Sequence, residues 1–152
     1  GNGFVTAMLV PEGNAADSAM LLPLVHEAMD NTGVKLDLAG FDDGYTSATN
    51  RAALKKLGVK DISFSGSKAK KLFGEEAYAD PVLAKARADR SAVESLMFCL
   101  KHVHGFGRLR RRGIAAVRAE LTGKVIVYNM RRAIMLRKAE PEPERQSDPI
   151  AA

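Results

Sequence analysis

Four charged residues have the types and spacing that chemistry on a phosphate needs: Asp42, Arg90, Glu94 and Lys101. The last three stand at i, i+4 and i+11 on a segment with helical periodicity. At 100° per residue, Glu94 and Lys101 differ by about 20° around the axis and Arg90 by about 40° from Glu94, so all three share one face. Apolar Val93 and Met97 lie alongside, which leaves the charges to meet each other, a metal ion or phosphates. Asp42 stands at the C-terminal end of an expected strand, the edge where open α/β sheets place their sites. A carboxylate from a strand end and one from a helix can hold Mg²⁺ for phosphoryl transfer, because the hard cation takes oxygen ligands and keeps positions open for substrate. The same spacing suits two ordinary surface ion pairs, and spacing alone favours that plainer arrangement.

Other chemistry-bearing groups are less specific. Cys99, His102 and His104 form a Cys-x2-His-x-His run. Zinc is disfavoured there, since the two histidines lie about 200° apart on a helix and no fourth ligand is near. His26 is a lone histidine on an expected helix surface, and Gly105-Phe106-Gly107 reads as a stop between two helices. Arg108, Arg110, Arg111 and Arg112 differ in kind. Four guanidinium groups in five positions at a helix start oppose the helix dipole, so local stability does not account for them and binding to DNA phosphates does.

The elements that must position these residues follow from periodicity and turn chemistry. A strand is expected over 4–10, closed by Pro11-Glu12-Gly13-Asn14, then a helix over 15–31 with apolar residues at 20, 21, 24, 25 and 28, ended by Thr32-Gly33. A strand over 35–41 runs into Asp42-Asp43-Gly44-Tyr45; Ser47 caps a helix through 56 with Gly58 as its stop; a further strand covers 59–64. This alternation implies parallel pairing through right-handed crossovers. Residues 67–81, polar and Lys-rich, read as a linker. Long helices are expected over 82–104 and 112–138; Gly123 costs about 1 kcal/mol relative to Ala and allows a break in the second. The acidic, Pro-containing tail over 139–152 is expected to be disordered.

Composition bounds the class. A chain of 152 residues, 46% hydrophobic and 27% charged, suits one globular domain, here 1–138. No apolar run approaches the roughly 18 residues of a membrane span. The single cysteine cannot form an internal disulfide, and the N-terminus lacks the pattern of a secretory signal, so a cytoplasmic protein is expected. The first residue is Gly1, and a fragment of a longer protein is expected. The net charge of +5 is unevenly spread: −6 over 1–45, +3 over 46–84, +11 over 85–138 and −3 over the tail. A field of +11 on one segment attracts polyanions, nucleic acid first, although a solvated pair of amphipathic helices would also carry many such residues.

Arg90-x3-Glu94-x6-Lys101 resembles the Arg-Glu-Lys part of the Tyr-x2-Arg-x3-Glu-x6-Lys signature of bacterial insertion-sequence transposases with a DDE site. Asp42-x-Gly44-Tyr45 resembles the turn that carries their second Asp. Pro11-Glu12-Gly13-Asn14-Ala15-Ala16-Asp17-Ser18 and His104-Gly105-Phe106-Gly107-Arg108 are similar to that group as well, and the likeness runs from Gly1 to about Lys138. It implies the C-terminal part of a catalytic domain with a ribonuclease-H-like α/β fold, incomplete at the N-terminus and ending in two long helices. It further implies a bacterial, nucleoid-associated protein acting on double-stranded DNA, both transposon ends and target, as a homodimer in full-length form. Asp42 and Glu94 would be catalytic and hold Mg²⁺ or Mn²⁺ for strand cleavage and transfer. Arg90 and Lys101 would pair with phosphates. Two positions depart from the pattern. Arg87 stands where the signature has Tyr, and the first Asp of the triad has no counterpart, Asp17 reading instead as a helix cap or dipole partner. The chain is therefore expected to be inactive alone, and the rival reading is a non-catalytic DNA-binding remnant.

Overall fold

The computed structural model describes residues 3–139. Among them the order is α1 (Asp17–Thr32), β1 (Leu38–Phe41), a 3-10 turn (Asp43–Tyr45), α2 (Ala48–Lys56), β2 (Asp61–Phe64), α3 (Ser67–Phe73), α4 (Glu75–Ala79), α5 (Pro81–Asp89), α6 (Ser91–His102) and α7 (Ile114–Ala139). The two strands pair in parallel, with Leu38 opposite Asp61 and Phe41 opposite Phe64. This is the pairing that the strand, helix, strand alternation implies.

Side chains alternate across a strand, so this register sends Ala39, Phe41, Ile62 and Phe64 to one face and Gly40 and Ser63 to the other. The first face joins Leu21 and Val25 of α1, Leu54 of α2 and Ala69 of α3 in one buried cluster. The second face also carries Leu38 and Asp61 at the strand starts, but at its centre Gly40 and Ser63 are small, and α5 lies directly on them. Ser63 Oγ donates to the Leu83 carbonyl at 3.1 Å. A Cβ at Gly40 would stand 3.1 Å from the Ala86 carbonyl oxygen. The result is a helix, sheet, helix sandwich of the α/β class, mostly helical, around a two-stranded parallel sheet.

Local chemistry sets the helix ends. Gly33, at φ 66°, closes α1 by donating its N–H to the Met29 carbonyl. The Ser47 hydroxyl accepts the Asn50 N–H at 3.3 Å and starts α2, as its sequence position predicts. Asp80 caps α5 by accepting the N–H groups of Val82 and Leu83 at 2.8 and 3.1 Å, with Pro81 in the first turn where its missing donor is no loss.

The structure departs from the sequence expectations in four places. Residues 4–10 form no strand: Asn129 of α7 brackets Val5, accepting its N–H at 3.0 Å and donating to its carbonyl at 2.8 Å, in the place of a neighbouring strand. The expected linker contains α3 and α4, which form around buried Ala69 and the stacking of Phe73 on Phe64 at 5.7 Å, too few apolar positions to give a period. The expected single helix over 82–104 is broken at Arg90, whose carbonyl takes the Val93 N–H in a tight turn at 2.8 Å. The break lets Leu83 and Ala86 serve the sheet while α6 turns toward α7, so the chain ends in one long helix and not two. That helix, α7, runs through Gly123 without a break for 26 residues. The tail over 140–152 lies outside the described residues. No helix among the described residues is long and apolar enough to cross a membrane.

Gly40→Ala should push α5 off β1 and lower unfolding stability by about 1–3 kcal/mol, the usual cost of overpacking a close contact. A urea midpoint unchanged from that of the parent chain would contradict this.

Candidate functional site

Asp42 follows the last residue of β1, and its Oδ1 accepts the Asp43 N–H at 2.8 Å, which opens the 3-10 turn. Because Phe41 lies opposite Phe64, the next residues, Asp42 and Ser65, also come side by side. The Ser65 N–H donates to the Phe41 carbonyl at 2.9 Å, and the Ser65 hydroxyl stands 3.4 Å from Asp42 Oδ1. Asp43 serves the fold instead. Its Oδ1 accepts the Lys68 N–H at 3.2 Å and the Thr46 hydroxyl at 3.4 Å, tying the turn to the start of α3. A Cβ at Gly44 would stand 2.8 Å from Asp17 Oδ2, so a larger residue there would displace the end of the Asp17 side chain. Asp17 lies in the first turn of α1 as a dipole partner; Ala16 holds the cap position. Burial, then the charges of Asp17 and Asp42, push the Tyr45 phenol above its ordinary pKa.

Arg90 stands at the break between α5 and α6, and its guanidinium forks. Nη1 lies 3.5 Å from Asp42 Oδ1, and Nη2 lies 3.3 Å from Glu94 Oε1. Two carboxylates 52 residues apart in sequence therefore meet on one cation that is itself three-quarters buried. Each acid commits one oxygen to Arg90. Asp42 Oδ2 and Glu94 Oε2 have no hydrogen bond or ion pair among the described residues, and the two side chains remain 60% and 72% exposed. Lys101 lies two turns further along α6, exposed and without an ion pair among the described residues, so it shares the face of Glu94 but does not join the cluster. Arg87, where the signature has Tyr, stacks on the Tyr78 ring with its guanidinium carbon 3.9 Å from the centroid. It also donates to Ser63 Oγ at 3.3 Å and to the Tyr78 carbonyl, all of which tie α5 to α4 and β2.

Two exposed carboxylates with open oxygens match the hardness of Mg²⁺ or Mn²⁺. The donor set fits such an ion in kind. It is short in number, since no group of three acids, histidines or cysteines gathers among the described residues. Cys99, His102 and His104 diverge: His102 stacks on Phe98 at 4.3 Å, and His104 meets Tyr128 edge-on at 5.5 Å.

Arg108, Arg110, Arg111 and Arg112 are all exposed, on the loop between α6 and α7. Beneath them Glu120 accepts the backbone N–H groups of Arg110 and Arg111 at 3.0 and 3.1 Å and pairs with Lys124 at 2.7 Å. Sequence reasoning missed Ser65, Glu120 and Lys124. Ser65 is legible only once the strand register is known. Glu120 did leave a signal, as the sole acid over 95–138.

The hydrogen bond from Lys124 is the largest effect on the Glu120 carboxyl and holds it below its ordinary range; burial, next in size, opposes it, and the Arg110 and Arg111 amides and the Lys124 charge lower it further. A lowered folded-state pKa stabilises the fold fully above the unfolded value, about 4.3, and that stabilisation is lost as pH falls through the lowered value. A carboxyl NMR titration should place the Glu120 midpoint below that of an exposed glutamate, and Lys124→Met should raise it. An ordinary midpoint in the parent chain would show that the bonds do not persist in solution.

Comparison with curated proteins and with solved structures finds no match. The family model described as a transposase DDE domain matches residues 1–130, a span that contains both carboxylates, Arg90, Lys101 and the arginine loop. With an acid at a strand end and an acid on a helix brought to one guanidinium within that span, the chain belongs to the transposase DDE domain family.

Proposed function

We propose that this chain supplies the second and third acidic ligands of a DDE site and works as the C-terminal part of the catalytic domain of a bacterial insertion-sequence transposase of the Tyr-Arg-Glu-Lys type. The observation that carries the reading is the convergence of Asp42 and Glu94 on Arg90, each with a second oxygen that has no hydrogen bond or ion pair among the described residues. The fold is then ribonuclease-H-like, the working unit is a homodimer, and the substrates are transposon-end and target DNA. The first Asp of the triad comes from outside the described residues.

Asp42 and Glu94 would hold the divalent cation. Held there, such an ion would supply Lewis-acid activation of the attacking hydroxyl and stabilisation of the leaving oxygen in a phosphoryl transfer. Arg90 holds the two acids close to each other, because its charge offsets part of the repulsion between them. Lys101, one heptad beyond Glu94 and without an ion pair, offers its ammonium to a phosphate on the same helix face. The exposed arginine loop supplies sequence-independent attraction for the DNA backbone.

A second reading, a DNA-binding remnant without catalysis, is favoured by one observation: Arg90 pairs with both acids and no third ligand joins them among the described residues. A strand-nicking assay on cognate-end DNA separates the two. With Mg²⁺ or Mn²⁺ the 152-residue chain alone should not nick. A protein extended upstream to include an Asp-bearing strand should, and Glu94→Gln should reduce that rate by about 10²-fold or more through lost positioning. Nicking by the short chain that Glu94→Gln abolishes would show a complete site within it; no metal-dependent nicking by the extended protein would support the remnant.

Duplex binding by this chain should weaken steeply with added salt, the log–log slope being about 0.9 per phosphate neutralised. Replacing Arg108, Arg110, Arg111 and Arg112 by Ala should flatten the slope and weaken binding on any sequence alike. A variant that keeps the full slope would place the DNA-binding surface elsewhere.

A further inference from the structure

The loop that carries four arginines in five positions has its backbone held from below by one acid and one base of α7. The Arg110 N–H donates to Glu120 Oε1 and Oε2 at 3.3 and 3.0 Å, and the Arg111 N–H donates to Oε2 at 3.1 Å. One turn along α7, Lys124 Nζ donates to the Gly105 carbonyl at 2.7 Å and to the Arg108 carbonyl at 3.2 Å. The two side chains join through a 2.7 Å ion pair, and only 13% of Glu120 and 20% of Lys124 is exposed.

The choice of partners matters. Glu120 is the sole acid over 95–138, and simple attraction would set it against a guanidinium. Instead both its oxygens are taken by backbone amides and by Lys124, and none of the four arginines forms an ion pair with it among the described residues. The carboxylate thus organises the loop without quenching the charges that the loop displays. A segment of like charges resists ordering through mutual repulsion and lost backbone entropy; holding it ordered beforehand removes that cost from the binding step.

We propose that Glu120 and Lys124 are positioning residues that pre-order the loop over 105–112, so that Arg108, Arg110, Arg111 and Arg112 face DNA phosphates as a fixed array. This rests on the reading of that loop as a DNA-binding surface. It makes a prediction opposite in sign to charge counting. Removing an acid beside four arginines strengthens attraction to DNA by electrostatics alone, whereas loss of the clamp weakens binding.

The test uses the 152-residue chain, a labelled duplex of arbitrary sequence, and two readouts. Without DNA, amide hydrogen exchange at Arg110 and Arg111 should accelerate at least about tenfold in Glu120→Ala, because both amides lose their acceptor. With DNA, the same variant should bind about three- to tenfold more weakly despite its extra net positive charge. Where Glu120→Ala loses helical circular dichroism, Glu120→Gln, of like volume and with one acceptor oxygen retained, takes its place with the same two readouts and smaller changes in the same directions. Unchanged exchange would overturn the clamp. Faster exchange with equal or tighter binding would overturn its role in recognition. Failure of the parent chain to bind the duplex at all would instead overturn the reading beneath the proposal, and the exchange data would still report whether the clamp exists.

Discussion

The parallel pairing of Leu38–Phe41 with Asp61–Phe64 is the constraint on which the geometry of the site depends. Its register puts Asp42 beside Ser65 at one end of the sheet and leaves Gly40 and Ser63 together on one face. That face is small enough for α5 to approach within van der Waals contact of the strand backbone. The approach brings the end of α5, and with it Arg90, to the strand end that carries Asp42. A shift of one residue in the pairing would put Phe41 and Phe64 on opposite faces of the sheet, so that one of them left the core, and would take Asp42 out of step with Ser65.

Two acidic arrangements serve different purposes in this chain. Asp42 and Glu94 share Arg90 and stay exposed, so part of their mutual repulsion is offset while one oxygen of each has no hydrogen bond or ion pair among the described residues. Ion pairs so exposed contribute at most about 1 kcal/mol each to stability, and their importance lies in what they juxtapose. Glu120 is largely covered, and it spends its charge on two backbone amides and a lysine. One arrangement presents carboxylates; the other conceals one and presents arginines. Both fall within the span shared with the transposase DDE domain family.

Much of the site was legible before the fold. Asp42, Arg90 and Glu94 stand out by type and spacing, and the structure brings these three together, whereas Lys101 shares only the helix face. The helix ends at Gly33 and Ser47 follow from caps and glycines alone, and Gly105 stands just beyond the end of α6 at His102. The failures have a common cause. A strand over 4–10 needs a neighbouring backbone; Asn129, 124 residues away, satisfies Val5 instead. Residues 67–81 fold as helices because Ala69 and Phe73 join a core whose other members, Leu21 and Val25 of α1 and Leu54 of α2 among them, come from earlier in the chain.

The sequence by itself determined residue chemistry and the contacts that act within a few positions: which acids and bases exist, where helices start and stop, and that one segment carries most of the positive charge. These depend on side chains and backbone groups close along the chain, so a short window contains every participant. Tertiary structure alone decided the break at Arg90, the structural use of Arg87, the pairing of Ser65 with Asp42 and the clamp of Glu120 on the arginine loop. Each of those depends on how separate elements pack, with partners from nine to 48 positions apart in sequence. The free energy that selects them comes from burial and hydrogen bonds that exist only after the sheet and its covering helices have assembled.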